Sequence, residues 1–331
     1  MKIGQELVGL FENLECPDSC DGIGPSYATC PIADLEGVLI GKSSSGDACL
    51  LIVCEDGDLP RPPYDLNLVR VDWNRRVRYA HLGQITENRF TIIRAKDQDI
   101  EQIELFFYLF VSLLARLHKP LVSKSVMDTV ERCVQLFQRS KSSASKSILG
   151  VWSELLLICL SDDVNVMVNA WHSSANEHYD FSLQGGLVEV KCTTGPTRSH
   201  RFSADQLKPP EGATCWIASV RTSSLTNGTT VQDLVEEATN RSGISVASIE
   251  RILDVTLSAL GEAWANSKTQ SFDRAQALGT LQIYRSEDVP SIGPAPAGVS
   301  DIHFTANLEF ANFAPSADFD SPLLKQLAGV V

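Results

Sequence analysis

The spacing of apolar residues changes along this chain, and each change predicts a different kind of element. Up to about Asp97, short apolar runs such as GVLIG and ACLLIVC are separated by the turn-rich SSSGD. A proline-rich connection, DGDLPRPPYDLN, then leads to VRYAHLGQI and RFTIIRA. Runs of this length between turn residues predict β-strands. From Gln98 to about Arg139 the period becomes helical, with Ile100, Ile103, Phe106, Phe107, Phe110, Leu113 and Leu114 on one recurring stripe and Pro120 closing it. A second helix is expected over residues 123–138, and the polar RSKSSASKS of 139–147 reads as a linker.

Beyond the linker, the pattern predicts a helix over 148–160 and strands in VNVMVNAW, HYDFSL and LVEVKC. A short helix from Ser203, a strand in TCWIASV, and helices over about 230–239 and 244–262 follow. Together these elements predict an α+β protein. Its expected parts are a β-rich N-terminal domain (1–97), a helical connector (98–145) and a mixed α/β domain with one sheet (146–331).

Composition narrows the class. A chain of 331 residues, 44% hydrophobic and 21% charged, has the make-up of an ordinary folded protein with room for two cores. The longest apolar stretch, Ile103 to Leu117, is broken by Glu104 and Arg116. It falls short of the roughly 20 residues needed to span a bilayer. The N-terminal MKIGQELVGLFENLE carries acidic residues where a secretory signal would be apolar. The expectation is a cytoplasmic protein with no membrane partner. Nine scattered cysteines read as reduced thiols, and Cys16, Cys20 and Cys30 match no common zinc-finger spacing. A net charge of −13 argues against a protein that coats nucleic acid non-specifically, so any grip on a polyanion has to be local.

The chemistry concentrates in two expected strands. Alternation puts His178, Asp180 and Ser182 on one side of the first, and Leu187, Glu189 and Lys191 on one side of the second. A two-residue turn at Gly185-Gly186 would set Ser182 opposite Glu189 and Asp180 opposite Lys191. Two carboxylates at that spacing repel unless a cation lies between them, and a hard divalent ion such as Mg²⁺ prefers oxygen ligands. A lysine beside such an ion suits attack on a phosphodiester, whose transition state concentrates negative charge on oxygen. The same pattern also describes a surface hairpin with a cross-strand Asp–Lys pair.

Glu154 lies among apolar neighbours in SILGVWSELLLICL, a costly place for a carboxylate unless a metal or another partner meets it; the alternative is a helix-edge glutamate reaching to water. Gln206 fits a substrate contact, and Ser203-x-x-Gln206 equally fits a capping box. Lys191, Arg198, Arg201 and Lys208 stand against a single acid, Asp205, which makes 191–208 the most phosphate-suited stretch. His200 within it is a candidate contact or proton shuttle, and His178 a candidate support for Asp180. Each also reads as an ordinary loop or packing histidine. No Walker-type loop is present.

Glu154 on a helix, Asp180 on a strand and Glu189-Val190-Lys191 on the next resemble the PD-(D/E)XK, or restriction endonuclease-like, nuclease superfamily. GVWSELLLI, HYDFSL, LVEVKCTT and HRFSADQL are similar to a bacterial family named for that motif and often found among restriction and phage-defence genes. The resemblance covers about residues 146–223. It implies a restriction endonuclease-like core, with a central mixed sheet flanked by helices, and Mg²⁺-dependent hydrolysis of DNA, Mn²⁺ serving as a substitute. Asp180, Glu189 and the Val190 carbonyl would ligate the metal, Glu154 would complete or support the site, and Lys191 would position the attacking water. Gln206 would match the polar residue of the following helix. Arg198, His200, Arg201 and Lys208 are the expected DNA contacts. The motif's proline is absent, Tyr179 standing before Asp180. Expected partners are DNA and a second copy or other defence-system subunits. The rival expectation is a non-catalytic module that binds DNA or protein with the same fold.

Overall fold

The computed structural model describes residues 2–17, 26–55, 62–66, 68–81, 83–172, 178–293, 297–319, 321–327 and 329. Cys20 and most of the proline-rich connection lie outside them. The chain forms two compact units, Met1–Lys141 and Ser142–Val331. The architecture is α+β.

The first unit contains α1 (Lys2–Glu12), β1 (Tyr27–Pro31), β2 (Val38–Ser43), β3 (Ala48–Ile52), β4 (Tyr64–Asp65), β5 (Val69–His81), β6 (Gln84–Ala95), α2 (Ile100–Leu114) and α3 (Ser123–Arg139). The strands form a sheet in the order β1-β2-β3-β6-β5-β4, and β1 also pairs in parallel with β5, closing the sheet on itself. Tyr27, Cys49, Leu51, Phe90 and Ile92 fill one core cluster there. The N-terminal stretch, whose acidic residues set it apart from a secretory signal, is helix α1. Leu7, Val8 and Phe11 give it a buried stripe, and the Phe11 and Phe107 rings lie 5.8 Å apart. Among the described residues no helix is long and apolar enough to cross a membrane, and the described cysteines form no disulfide with one another.

The second unit contains α4 (Ile148–Leu160), α5 (Val164–Ala170), β7 (Phe181–Leu183), β8 (Gly186–Thr193), β9 (Ser199–Ser203), β10 (Thr214–Arg221), β11 (Ser224–Thr230), α6 (Val231–Thr239), α7 (Val246–Leu260), β12 (Ser271–Phe272), α8 (Arg274–Thr280), β13 (Gln282–Arg285), β14 (His303–Asn307) and α9 (Pro322–Lys325). Its central sheet is mixed, in the order β13-β10-β8-β7, with β8 and β10 parallel and the outer pairs antiparallel. α4 packs against β8 and α6. β9 and β14 form a separate ribbon whose Phe202, Ala306 and Leu308 bury against Leu187, Ile217 and Tyr284. That ribbon covers the sheet face from which Glu189 also projects, since Leu187 and Glu189 are two residues apart on β8.

Three local expectations are corrected. VNVMVNAW is the helix α5 and not a strand: its alternation is ambiguous, but Val164, Met167 and Val168 are also spaced for a helix and are buried. Asp163 caps the start by accepting from Asn165 N and Val166 N. The β7–β8 turn is Gln184-Gly185, both at positive φ (50° and 80°), as a two-residue type I′ turn demands. Gly186 begins β8 instead. A Cβ there would stand 2.9 Å from that of Ser321, so close packing explains the second glycine. Finally, 199–203 is a strand and not a loop, because its partner β14 lies about a hundred residues downstream, beyond the reach of local pattern.

Candidate active site

The register of the β7–β8 hairpin pairs Ser182 with Leu187 and Phe181 with Val188. It therefore differs by two residues from the expected pairing. An even slip leaves every side chain on its own face, so the continuation of β7 still brings Asp180 beside Glu189. The ladder ends at Phe181. One residue beyond it, the Asp180 carboxylate accepts the buried N–H of Val190, which has no strand partner there, through Oδ2 at 2.8 Å. The side chain replaces the missing strand partner and is fixed by doing so.

Two groups of side chains meet at Asp180. On one side, Lys146 Nζ donates to Glu154 Oε1 at 2.6 Å and to Asp180 Oδ1 at 2.6 Å, and lies 3.1 Å from His172 Nε2. Glu154 Oε2 accepts from Trp171 Nε1 at 2.7 Å and lies 2.9 Å from His172 Nε2. On the other side, Lys191 Nζ donates to Glu189 Oε1 at 2.6 Å and to Gln206 Oε1 at 3.2 Å. The Gln206 amide also donates to Glu189. Glu154, Asp180 and Glu189 are all buried.

Burial alone pushes each carboxyl upward, because it penalises the charged form. At Glu154 the His172 hydrogen bond and the Lys146 charge outweigh it and hold the group down at about 2. Asp180 is raised by burial and then by the Glu154 charge, despite Lys146. Burial and the Asp180 charge push Glu189 up to about 8, despite Lys191. The site thus sets three buried carboxyls against two lysines, an excess that the metal-free protein relieves by holding a proton on Glu189.

That imbalance is what a divalent cation would correct, and the donors fit one. Among the described residues, Glu154, His172 and Asp180 each offer a ligand atom within 4.8 Å of the other two. Two carboxylate oxygens and an imidazole nitrogen form a donor set used by divalent metals. The set contains the expected Glu154 and Asp180 but has His172 in place of Glu189, which is turned toward Lys191 and Gln206.

Lys146 and His172 had no signal in the sequence. Lys146 falls in a serine-rich stretch read as linker, and His172 follows a misread helix. His172 sits at φ 42°, an uncommon conformation for a non-glycine residue. It is held there by its N–H to Asp180 O at 2.9 Å and by Arg251, which donates to His172 O at 2.6 Å and to Val168 O at 2.9 Å. Gln206 closes the capping box with Ser203, as one of its two readings has it, and also touches Lys191 and Glu189.

The expected DNA contacts divide. Arg201 and Lys208 are exposed, whereas Arg198 and His200 are buried and do not face solvent. Arg198 donates to Ser219 O and Oγ at 3.0 Å and to Thr280 O, and His200 Nε2 lies 2.8 Å from Ser219 Oγ. Strand alternation explains this, since Arg198, His200 and Phe202 turn inward while Ser199 and Arg201 turn out. Burial, with the Lys191 and Arg198 charges, lowers His200 to about 4 and so favours its neutral form at physiological pH. His178 is exposed.

A family model described as "Putative PD-(D/E)XK family member (DUF4420)" matches residues 10–309. The chain belongs to this PD-(D/E)XK family. No curated protein and no solved structure matches it. The family supports a nuclease-like function and a divalent metal, and it spans both units of the chain.

Proposed function

We propose that this PD-(D/E)XK family member is a metal-dependent endonuclease that hydrolyses DNA phosphodiester bonds, with Mg²⁺ as the ion and Mn²⁺ as its substitute. The observation that carries the reading is Asp180 at the edge of β8. It stands between the buried Glu154, with which it shares Lys146, and the strand residue Val190, whose neighbours Glu189 and Lys191 pair with each other.

Glu154, His172 and Asp180 would hold the ion, with Glu189 and the Val190 carbonyl as further oxygen donors. A bound divalent cation neutralises developing charge on the phosphate and acidifies a water. Lys191, aimed by Glu189 and Gln206, holds the attacking water and stabilises negative charge on the phosphoryl oxygens. Arg201 and Lys208 supply the local positive charge that a chain of net −13 needs to approach DNA. The biological setting we infer is restriction or phage defence, alone as a second-copy dimer or with other subunits.

Supercoiled plasmid incubated with Mg²⁺ or Mn²⁺ tests the activity. Wild type should nick or linearise it, and Lys191→Ala should be slower by on the order of 100-fold or more while remaining folded. Uncut plasmid with wild type would favour a binding-only module, and undiminished cutting by Lys191→Ala would remove the assigned role of the lysine.

A further inference from the structure

The Lys146 ammonium occupies the centre of the proposed metal site. Its nitrogen lies 2.6 Å from Glu154 Oε1, 2.6 Å from Asp180 Oδ1 and 3.1 Å from His172 Nε2. These are donor atoms of the same three residues that together could hold a cation. A metal ion in contact with both carboxylates needs oxygens at about 2.0–2.6 Å, which is the space the nitrogen fills. Two cations cannot share that space, because their repulsion is poorly screened in a buried site.

The ligands do not depend on the lysine for their placement. Glu154 is fixed through its other oxygen, Oε2, by Trp171 Nε1 at 2.7 Å. Asp180 is fixed through Oδ2 by Val190 N at 2.8 Å. Oε1 and Oδ1, the two oxygens that face Lys146, are therefore held in position from behind.

The lysine, by contrast, is free to go. Its backbone is anchored, with Ser145 N and Lys146 N both donating to Ala259 O at 2.9 and 3.1 Å. Its side chain is 31% exposed and lies at the rim, whereas those of Glu154 and Asp180 are 4% and 8% exposed. Rotation about the flexible four-carbon stem carries the ammonium into water without moving the chain.

From this geometry, and resting on the metal-dependent reading above, we propose that Lys146 is a displaceable cationic plug. It holds the acidic site together in the metal-free protein, and a divalent ion enters only by expelling it. Once expelled, the ammonium remains tethered at the mouth of the site, where an anionic substrate approaches.

Two measurements on the full chain test this, neither of them an activity. Calorimetry with Mn²⁺ should show Lys146→Met binding at least about tenfold more tightly than wild type, since competition from the ammonium is gone. An equal or weaker affinity in the variant overturns the proposal, because it would show that the ammonium does not compete with the ion for the site. In the wild-type protein, acetylation of Lys146 by an amine-reactive reagent, followed by mass spectrometry with Lys208 as the exposed reference, should accelerate severalfold on adding Mn²⁺. An unchanged or slower rate overturns the proposal, even if Lys146→Met fails to fold. Faster labelling and tighter binding without plasmid cleavage by wild type would leave the plug standing and end the nuclease reading. Cleavage without either effect would do the reverse.

Discussion

Asp180 accepts the backbone N–H of Val190 at 2.8 Å, one residue past the end of the β7–β8 ladder. A carboxylate used in this way serves fold and site together, and the two roles separate by substitution. Asp180→Ala leaves a buried edge N–H without its acceptor, at a cost of about 1–3 kcal/mol. Asp180→Asn keeps an oxygen for Val190 and should unfold closer to wild type. Both should lose divalent-ion binding. Thermal denaturation with and without Mn²⁺ checks the pair, and equal metal-induced stabilisation of Asp180→Asn and wild type would count against the assignment.

Glu154 accepts from Lys146 and Trp171 and lies against His172. Glu154→Ala strands a buried indole N–H and removes one of the two counter-charges of the lysine, so a loss of about 3–5 kcal/mol is expected by analogy with broken buried pairs. Lys146 is partly exposed, which places the result toward the lower end. Urea denaturation measures it, and a loss below about 1 kcal/mol would return Glu154 to the role of an unimportant helix-edge residue.

Glu189 should destabilise the metal-free protein at high pH. Its carboxyl is raised from 4.5 to about 8 in the folded state, so the folded chain binds the extra proton. Stability from this group is complete below about 4.5 and is lost as pH rises through about 8. Glu189→Gln should therefore raise the metal-free Tm at pH 9 by about 3 °C or more and change little at pH 4. A Tm that falls at pH 9 would show that the Lys191 pairing dominates.

His200 gives the opposite slope. Its folded value of about 4 lies below the ordinary 6.5, so the unfolded chain takes up a proton first as pH falls. Stability is then intact above about 6.5 and declines toward pH 4, by about 3 kcal/mol in all. Replacement of His200 by Gln should flatten that part of the stability–pH curve. Persistence of the same slope would assign it to another group.

The sequence carried much of this fold, and the reasons for its gaps are physical. α2 and α4 were legible because their apolar residues recur over many turns, and β8 and β10 because they are short apolar runs between turn residues. Asp180, Glu189 and Lys191 could be grouped because a hairpin with an even register error still sorts faces correctly. α5 was misread because six residues of alternation fit both periods, and the capping role of Asp163 decides between them. Lys146 and His172 were invisible for another reason: each joins the site through tertiary contacts, from a polar stretch and from a helix end pinned by Arg251. Arg198 and His200 looked like phosphate contacts until a distant strand, β14, turned them inward.

Crystals soaked in Mn²⁺ and measured by anomalous diffraction test the metal site most directly. One strong peak is expected within about 2.5 Å of carboxylate oxygens of Glu154 and Asp180, with the Lys146 side chain swung away. A peak elsewhere on the protein, or no peak among these residues with Lys146 still between the two carboxylates, would contradict that site.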